Sequence, residues 1–211
     1  MIPISRSRAC FFLILLWLGA AGCLRRPHTT PSRTIEPQLI EPQQSTPAGQ
    51  VTKAAGAVAV RLLETQARGD IGRRVLHQQP NGELTTDSVW RWSASPERYL
   101  DTALRLQVAS SPGVLSVDTG NAPTLGGILL EWDLESAGGA RLVGAVEFQV
   151  TGEDRTVHTQ LVRSSEPVSA KLPGDLAVAA GRLLRRLASE GLGLAAGRPS
   201  ALSTSQPRKG P

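Results

Sequence analysis

Cys23 carries the most distinctively placed reactive group in the sequence, because its thiol follows small residues at the end of an apolar run. Ala20–Gly22 precede it, the apolar run spans Phe11–Leu18, and Arg6 and Arg8 give the segment a positive start. This order of charge, apolar residues and small residues is typical of a secretory signal peptide and its cleavage site. The run is shorter than the ~20 residues that a bilayer-spanning helix needs. The sequence therefore predicts export, with residues 1–22 as the signal.

The residues around the cleavage site resemble the lipobox of bacterial lipoproteins. In that motif a diacylglycerol is first attached to the sulfur of the cysteine, and the signal is then removed before it. The resemblance implies that Cys23 is the lipidation site and anchors the mature chain to a membrane, with Ala20 where the motif usually has Leu. The alternative interpretation is a plain secretory signal in which the cysteine occurs by chance.

Residues suited to catalysis are scarce in the rest of the sequence. Cys10 lies inside the signal, so no cysteine follows Cys23 to form a disulfide or a thiolate metal site. His77 and His158 lie on predicted strands between polar neighbours and are interpreted as surface or cross-strand histidines. The sequence contains no G-x-S-x-G, Walker A or G-x-G-x-x-G pattern. We therefore expect no enzymatic activity, no catalytic residue, no metal and no cofactor.

A row of carboxylates on one predicted strand comes closest to a cation site: Glu131, Asp133 and Glu135. Because successive side chains of a strand alternate between its faces, residues two apart point together. Such a row could bind Ca²⁺, which takes oxygen ligands. A solvated strand face is the favoured interpretation.

Val89-Trp90-Arg91-Trp92 is the most notable aromatic feature of the sequence. Trp90 and Trp92 are two apart and precede the first predicted helix, so they share one face of a strand. One interpretation has both rings packed under that helix. The other has one ring exposed to lipid or to a partner, as tryptophans at interfaces are. Trp90, Arg91 and Trp92 are accordingly the candidate partner-binding residues.

The positive charge of the chain lies at its ends. The formal net charge is +5, yet between Lys53 and Leu194 there are 15 Lys and Arg residues against 16 Asp and Glu residues. The predicted domain thus has no basic face to follow a phosphate backbone, and nucleic-acid binding is excluded. Arg25 and Arg26 instead follow the lipidation site, where each cation gains up to ~1 kcal/mol from an anionic leaflet.

Composition divides the exported chain into three parts. Residues 23–52 are rich in Pro, Thr, Gln and Ser and predict a lipid-anchored, semi-extended and disordered tether without a core of its own. Residues 53–194 predict a single folded domain. Residues 195–211 are rich in Ser, Pro, Gly and cations and predict a disordered tail.

Hydrophobic periodicity predicts strands, a helix, more strands and a closing helix. The first helix begins at Pro96 behind a Ser95 cap, and the second is capped by Asp175 and ends at Gly191. Strands are predicted over 57–64, 73–79, 83–91, 114–118, 128–134, 142–150 and 157–161. In the fifth of these the residues expected on the buried face are Ile128, Leu130, Trp132 and Leu134. The pattern predicts an α+β fold, with a mainly antiparallel sheet and two helices packed on one face.

The order of these features resembles one bacterial family, the ABC-type transport auxiliary lipoproteins, which include the paraquat-inducible protein C. The resemblance covers roughly Ala54–Gly191. Its most specific part is Val89–Trp92 with Ser95, Pro96 and the helix that follows. In the family this motif usually has Tyr or His before Arg-Trp, where Trp90 stands here. The family also opens its domain with a Tyr-rich strand, for which Thr34–Ile40 is only a weak substitute.

The resemblance implies a non-enzymatic auxiliary component of an ABC-type or intermembrane lipid transport system. It would be anchored in the outer membrane through Cys23 and face the periplasm; Leu24 fits outer-membrane sorting, since the inner-membrane retention signal is typically Asp there. Its implied partner is an ABC transporter or a membrane-anchored, tunnel-forming substrate-binding subunit, and a homo-oligomer is left open. The alternative is an envelope scaffold lipoprotein for secretion or cell-wall assembly.

Overall fold

The computed structural model describes residues 32–39, 57–69, 71–136, 139–169 and 173–197. The predicted signal, Cys23 and most of the predicted tether and tail lie outside the described residues. The helices of the described part are α1 Pro96–Ser110 and α2 Pro173–Ala195. Its strands are β1 Arg33–Ile35, β2 Val58–Leu62, β3 Gln66–Ala67, β4 Arg74–Gln78, β5 Leu84–Trp92, β6 Val114–Ser116, β7 Thr124–Glu135, β8 Arg141–Thr151 and β9 Val157–Pro167.

The long strand β7 organises the sheet. On one side it pairs antiparallel with β8, which in turn pairs antiparallel with the edge strand β9. On its other side the short strands β2, β3 and β4 follow one another, each parallel to it. Strand β5 pairs antiparallel with β4, β1 pairs parallel with β5, and β6 pairs parallel with β2. The predicted α+β fold with a mainly antiparallel sheet is confirmed, and the parallel pairs are an addition that the sequence did not predict.

Both helices pack on the same face of the sheet. Helix α2 lies against β8 and β9, and α1 lies against α2 and β6. Helix α1 begins as predicted, with Ser95 as N-cap and Pro96 as its first residue. Between the helices and the sheet lies one core, whose largest fully shielded side chains include Trp92, Trp132, Phe148, Leu100 and Leu183.

Helix α2 is longer at both ends than the sequence predicts. It starts at Pro173, so Asp175 lies in its first turn instead of capping it, and it runs past Gly191 to Ala195. Gly191 is buried inside the helix, and a Cβ there would lie 2.6 Å from Phe148 Cε1. This glycine therefore permits close packing on β8 and does not end the helix. Within the described residues no helix combines the length and apolarity needed to cross a membrane.

A β-bulge in β7 changes which residues face the core. Pairing with β8 shifts between Leu129 and Glu131, so that Leu130 is the extra residue. Leu129 is consequently fully buried, whereas Ile128 and Leu130 are half-buried. The predicted buried face is therefore wrong before the bulge and correct from Trp132 onward, because one extra residue reverses a period of two.

Strand β1 lies inside the segment that the sequence predicts to be tether. Arg33 stands opposite Trp90 and Ile35 opposite Trp92, in parallel pairing with β5. Ile35 is 3% exposed and belongs to the core. The structure thus differs from the tether prediction at these residues, because backbone pairing and one buried side chain order a stretch too short to show periodicity.

Candidate functional site

Trp92 lies in the core and is fully shielded from solvent. Its ring meets that of Trp132 edge-on, with centroids 5.8 Å apart and planes at 63°. The backbone oxygen of Trp92 accepts a hydrogen bond from Arg73 Nε at 3.2 Å. A side chain with no exposed surface offers nothing to a partner, so this placement removes Trp92 from the candidate partner-binding residues.

Trp90 and Arg91 remain at the surface. Trp90 is half-buried, and the guanidinium of Arg33 lies over its ring at 5.7 Å from the centroid, a cation–π contact. Arg91 is exposed on the other face of the sheet, where Thr34 and Arg74 flank it in register. The structure therefore surrounds the two accessible residues of the motif with arginines from β1 and β4, which the sequence did not indicate.

Tyr99 joins three elements behind this surface. Its hydroxyl is hydrogen-bonded to Ser93 Oγ, accepts the backbone N–H of Ala94 at 2.7 Å and donates to Glu36 Oε2 at 3.4 Å. The end of β5, the start of α1 and the residues after β1 are thereby held together. Tyr99 was not singled out from the sequence. A tyrosine beside the apolar stripe of a helix could have indicated it, because a buried hydroxyl needs a hydrogen-bond partner.

The residues after β1 continue directly onto helix α2. The N–H of Gln38 donates to the carbonyl of Ala177 at 3.1 Å. Arg185 Nη1 donates to the carbonyl oxygens of Gln38 at 3.1 Å and Leu39 at 3.3 Å. A Cβ at Gly181 would lie 2.0 Å from the Gln38 oxygen. The absence of a side chain at Gly181 is therefore what lets this segment lie on the helix.

The carboxylate row is closed by Arg163 from β9. Arg163 Nε and Nη2 donate to the two oxygens of Glu131 at 2.8 and 2.9 Å, and Nη2 also donates to Glu135 at 2.9 Å. The predicted common direction of the three carboxylates is confirmed. The predicted solvated face is wrong, because Asp133 between them is only 4% exposed. No group of three or more ligands able to hold a metal ion is found in the part of the chain that the structure describes.

Burial and neighbouring charge make Asp133 a weak acid. Its pKa is raised from 3.8 to about 6, first by burial and then by the charges of Glu131 and Glu135, while Arg163 acts in the opposite direction. The folded chain therefore holds this proton more tightly than the unfolded chain does. By linkage, the contribution of Asp133 to stability is full below about pH 4 and is lost as the pH rises through about 6.

Asp133→Asn is expected to raise the free energy of unfolding by roughly 2–3 kcal/mol at about pH 7.5 and to change it little at about pH 4. The amide keeps the shape of the side chain and removes the buried charge. Urea unfolding at both pH values measures the difference. Asp118→Asn, at an exposed position, is the control and should show no such pH dependence. An equal effect of Asp133→Asn at the two pH values would contradict the assignment.

The two histidines take the surface and cross-strand positions predicted for them. His77 Nε2 lies 3.1 Å from Asp87 Oδ2 across β4 and β5, and His158 is exposed on β9. The pKa of Asp87 is lowered: burial raises it, but the backbone N–H groups of Trp90 and Val89, each 2.8 Å from Oδ1, and His77 together outweigh burial. These contacts fix the backbone at the start of the Trp90 motif.

The fold belongs to the class with two helices on one face of a mainly antiparallel sheet, and solved structures share it. The chain is similar to protein XCC0632 from Xanthomonas campestris, of the DUF330 family, with a TM-score of 0.60 and 15% identity over 78% of this chain and 95% of that chain. It is also similar to a solved uncharacterized protein, with a TM-score of 0.54 and 11% identity over 66% of this chain and 91% of that one. At these identities the similarity shows the fold alone.

Other comparisons add no family assignment. A minor lipoprotein from Acinetobacter baumannii overlaps 66% of this chain and 93% of its own, at 13% identity and a TM-score of 0.36, which is too low to support an argument. No family model matches the sequence, and no curated protein matches it.

Proposed function

We propose that this chain is a lipid-anchored, non-enzymatic auxiliary component of an ABC-type or intermembrane lipid transport system, held at the outer membrane and facing the periplasm. The observation that carries the proposal is Cys23, which directly follows Ala20–Gly22 and an apolar run. The α+β fold supports it, because helices and sheet form a rigid body on which a partner can dock. The protein would then act through its position at the membrane and its contact with that partner.

The ion pairs of the described part support a role in contact and not in catalysis. His77 of β4 pairs with Asp87 of β5. Arg163 of β9 reaches across β8 and pairs with Glu131 and Glu135 of β7. Arg186 Nη2 of helix α2 lies 2.7 Å from the buried Glu166 Oε1 of β9. Each pair joins two different elements of the fold, so these charged groups have structural partners.

The open face and the free edge of the sheet are the surfaces that suit a protein partner. Within the described ranges strand β9 pairs with β8 alone, so its other edge presents backbone groups that no described strand pairs. On the face away from the helices Val157 is 61% and Leu161 58% exposed. An exposed edge with apolar side chains is a template for strand addition or docking.

Cys23→Ala is expected to abolish retention in the outer-membrane fraction, because the sulfur that would carry the diacylglycerol is gone. The protein should then occur as uncleaved precursor or in the soluble periplasmic fraction. Fractionation of membranes on a density gradient, followed by immunoblotting, measures the change. Cys10→Ala, inside the signal, is the matched control and should fractionate as wild type does. If Cys23→Ala fractionates with the outer membrane like wild type, the anchor is refuted.

Photo-crosslinking in membranes tests the transport part of the proposal. A crosslinker at position 157 or 161 of β9 is expected to capture an ABC permease or a membrane-anchored substrate-binding subunit. A crosslinker at Thr102, exposed on the opposite side in helix α1, serves as the control. Capture of secretion or wall-assembly proteins without a transporter subunit would instead favour the envelope scaffold.

A further inference from the structure

Four arginines are exposed where β1 enters the sheet: Arg33, Arg73, Arg74 and Arg91. Arg91 stands between Thr34 and Arg74 in register across β1, β5 and β4, so these three share one face. Arg33 lies on the other face, over the ring of Trp90. The four arginines and Trp90 form what we call the arginine corner, in which cations occupy both faces of the sheet.

In the described part of the chain, the cations of the arginine corner have no carboxylate partner, although Arg73 donates to the Trp92 carbonyl and Arg33 lies over Trp90. Among the described residues no carboxylate lies within salt-bridge distance of these four side chains. Arg74 and Arg91 even stand directly opposite each other, and like charges in that position destabilise a sheet. Glu36, the nearest carboxylate along β1, instead accepts the Tyr99 hydroxyl. An anionic surface outside the chain would offset this repulsion.

The composition of the corner suits a lipid surface better than a protein. Trp90 is half-buried and amphipathic, like tryptophans at the headgroup level of membranes. Among the large apolar side chains that are exposed in the described part, Leu84 lies at the far end of β5 and the others lie on other segments. Trp and Arg are also enriched at protein interfaces, but the core of such an interface is apolar and depleted of charge, whereas four cations are grouped here. Guanidinium groups, in contrast, bind phosphate through paired hydrogen bonds.

The position of the corner along the chain also favours a lipid surface. Arg33 is ten positions after Cys23, and ten residues span at most about 36 Å when fully extended. A lipid at Cys23 therefore keeps the β1 end of the sheet near the membrane. Arg25 and Arg26 in this short link add two more cations.

We propose that the arginine corner binds the anionic phospholipid headgroups of the membrane that holds the anchor. Arg33, Arg74 and Arg91 contact lipid phosphates, and Trp90 lies at the headgroup level. The inference rests on the proposed anchoring at Cys23 for its geometry. It assigns Trp90 and Arg91 to lipid and leaves the β9 end of the open sheet face to the protein partner.

Vesicle binding by the unlipidated mature chain tests the corner directly. All described contacts lie within residues 32–197, so the chain from position 23 with Cys23→Ser keeps them. We expect it to sediment with phosphatidylcholine vesicles that contain phosphatidylglycerol, and not with pure phosphatidylcholine. Arg33→Gln, Arg74→Gln and Arg91→Gln combined should weaken binding about a hundredfold, at about fivefold per cation near an anionic surface.

Two matched variants separate the corner from net charge. Arg98→Gln, Arg105→Gln and Arg182→Gln remove the same charge from exposed positions on the helices, and binding should stay within a few-fold of wild type. Arg33→Lys, Arg74→Lys and Arg91→Lys combined keep the charge, and this variant should retain most of the binding. If the triple Gln variant does not fold, Arg74→Gln alone should still show the fivefold loss.

Trp90 reports on contact with the lipid. In the mature chain the other tryptophans, Trp92 and Trp132, are buried. Quenching by brominated phosphatidylglycerol should therefore come from Trp90 and disappear in Trp90→Phe. Circular dichroism confirms that each variant is folded.

Three outcomes overturn the proposal. They are no binding of the wild-type chain to anionic vesicles, equal binding of the triple Gln variant, and equal losses in both triple variants. Crosslinking of the corner to a protein, together with failed vesicle binding, would assign this surface to a protein partner. Because the assay uses no lipid anchor and no transporter, its failure leaves the proposed function standing, and failure of the Cys23 or crosslinking tests leaves vesicle binding unaffected.

Discussion

Trp92→Ala is expected to lower the free energy of unfolding by about 3–5 kcal/mol, the range for removing a large aromatic side chain from a core. The ring is fully buried, and its edge-to-face contact with Trp132 adds to the effect of burial. Domains are stable by only ~5–15 kcal/mol, so the variant should have a much lower melting temperature. Urea unfolding followed by circular dichroism measures the loss.

Trp90→Ala is the matched control, because it removes the same side chain two residues earlier on the same face. Trp90 is half-buried, so we expect a loss of about 1 kcal/mol. Trp92→Phe should cost less than Trp92→Ala, since the indole N–H of Trp92 has no hydrogen-bond partner among the described residues and phenylalanine removes this buried donor. Equal losses in Trp90→Ala and Trp92→Ala would contradict the different depths of the two rings.

The two tryptophans show what a local pattern determines and what it leaves open. Their spacing correctly places both rings on one face, which follows from the alternation of side chains in a strand. Their depth depends on β1, because Ile35 stands beside Trp92 in the core while Arg33 lies over Trp90. Strand β1 has three residues and no periodicity, so hydrophobic periodicity did not predict that β1 lies beside these two rings.

The long elements were predictable because their patterns repeat many times. Strand β8, the first part of β9 and helix α1 lie close to their predicted ranges. Strand β7 begins at Thr124, four residues before its predicted start, and the extra residue Leu130 reverses the predicted alternation. The parallel pairing of β2, β3 and β4 with β7 depends on contacts between distant segments, for which local patterns carry no signal.

The candidate site was predictable only where it lies within one motif. Trp90 and Arg91 were found from their own segment, whereas Arg33 and Arg74 come from separate parts of the chain. An isolated arginine in a sequence carries no signal, and only strand pairing brings these three arginines together. Cys23 lies outside the described residues, so its lipidation stays a prediction from the sequence.

Gly181→Ala is expected to release the residues after β1 from helix α2. The new Cβ would lie 2.0 Å from the oxygen of Gln38 and 2.6 Å from its carbonyl carbon, so the backbone must move. Release breaks the hydrogen bond of Gln38 to Ala177 and those of Arg185 to Gln38 and Leu39. Alanine favours a helix by up to ~1 kcal/mol over glycine, and overpacking costs about 1–3 kcal/mol or more. We therefore expect a net loss of stability.

Amide hydrogen exchange over residues 32–39 is the sharper measurement, because the docking is local. Protection of this segment should fall in Gly181→Ala, while α1 and β8 keep theirs. Gly193→Ala lies on the same helix, and beyond the adjacent helix backbone no described atom would lie within 4 Å of its Cβ. This control should be neutral or slightly stabilising, with unchanged exchange. Identical exchange in the two variants would contradict the docking of the segment on α2.

Gly181→Ala also tests whether the pairing of β1 with β5 holds Arg33 in the arginine corner. If β1 separates from β5 together with the released segment, Arg33 leaves the corner, while Arg74 and Arg91 stay on β4 and β5. Binding of Gly181→Ala to anionic vesicles should then fall about fivefold, as for Arg33→Gln alone. Unchanged vesicle binding, with the segment shown by exchange to be released, would exclude Arg33 from the lipid contact. A loss as large as that of the triple Gln variant would mean that docking of β1 on α2 keeps all three arginines in place.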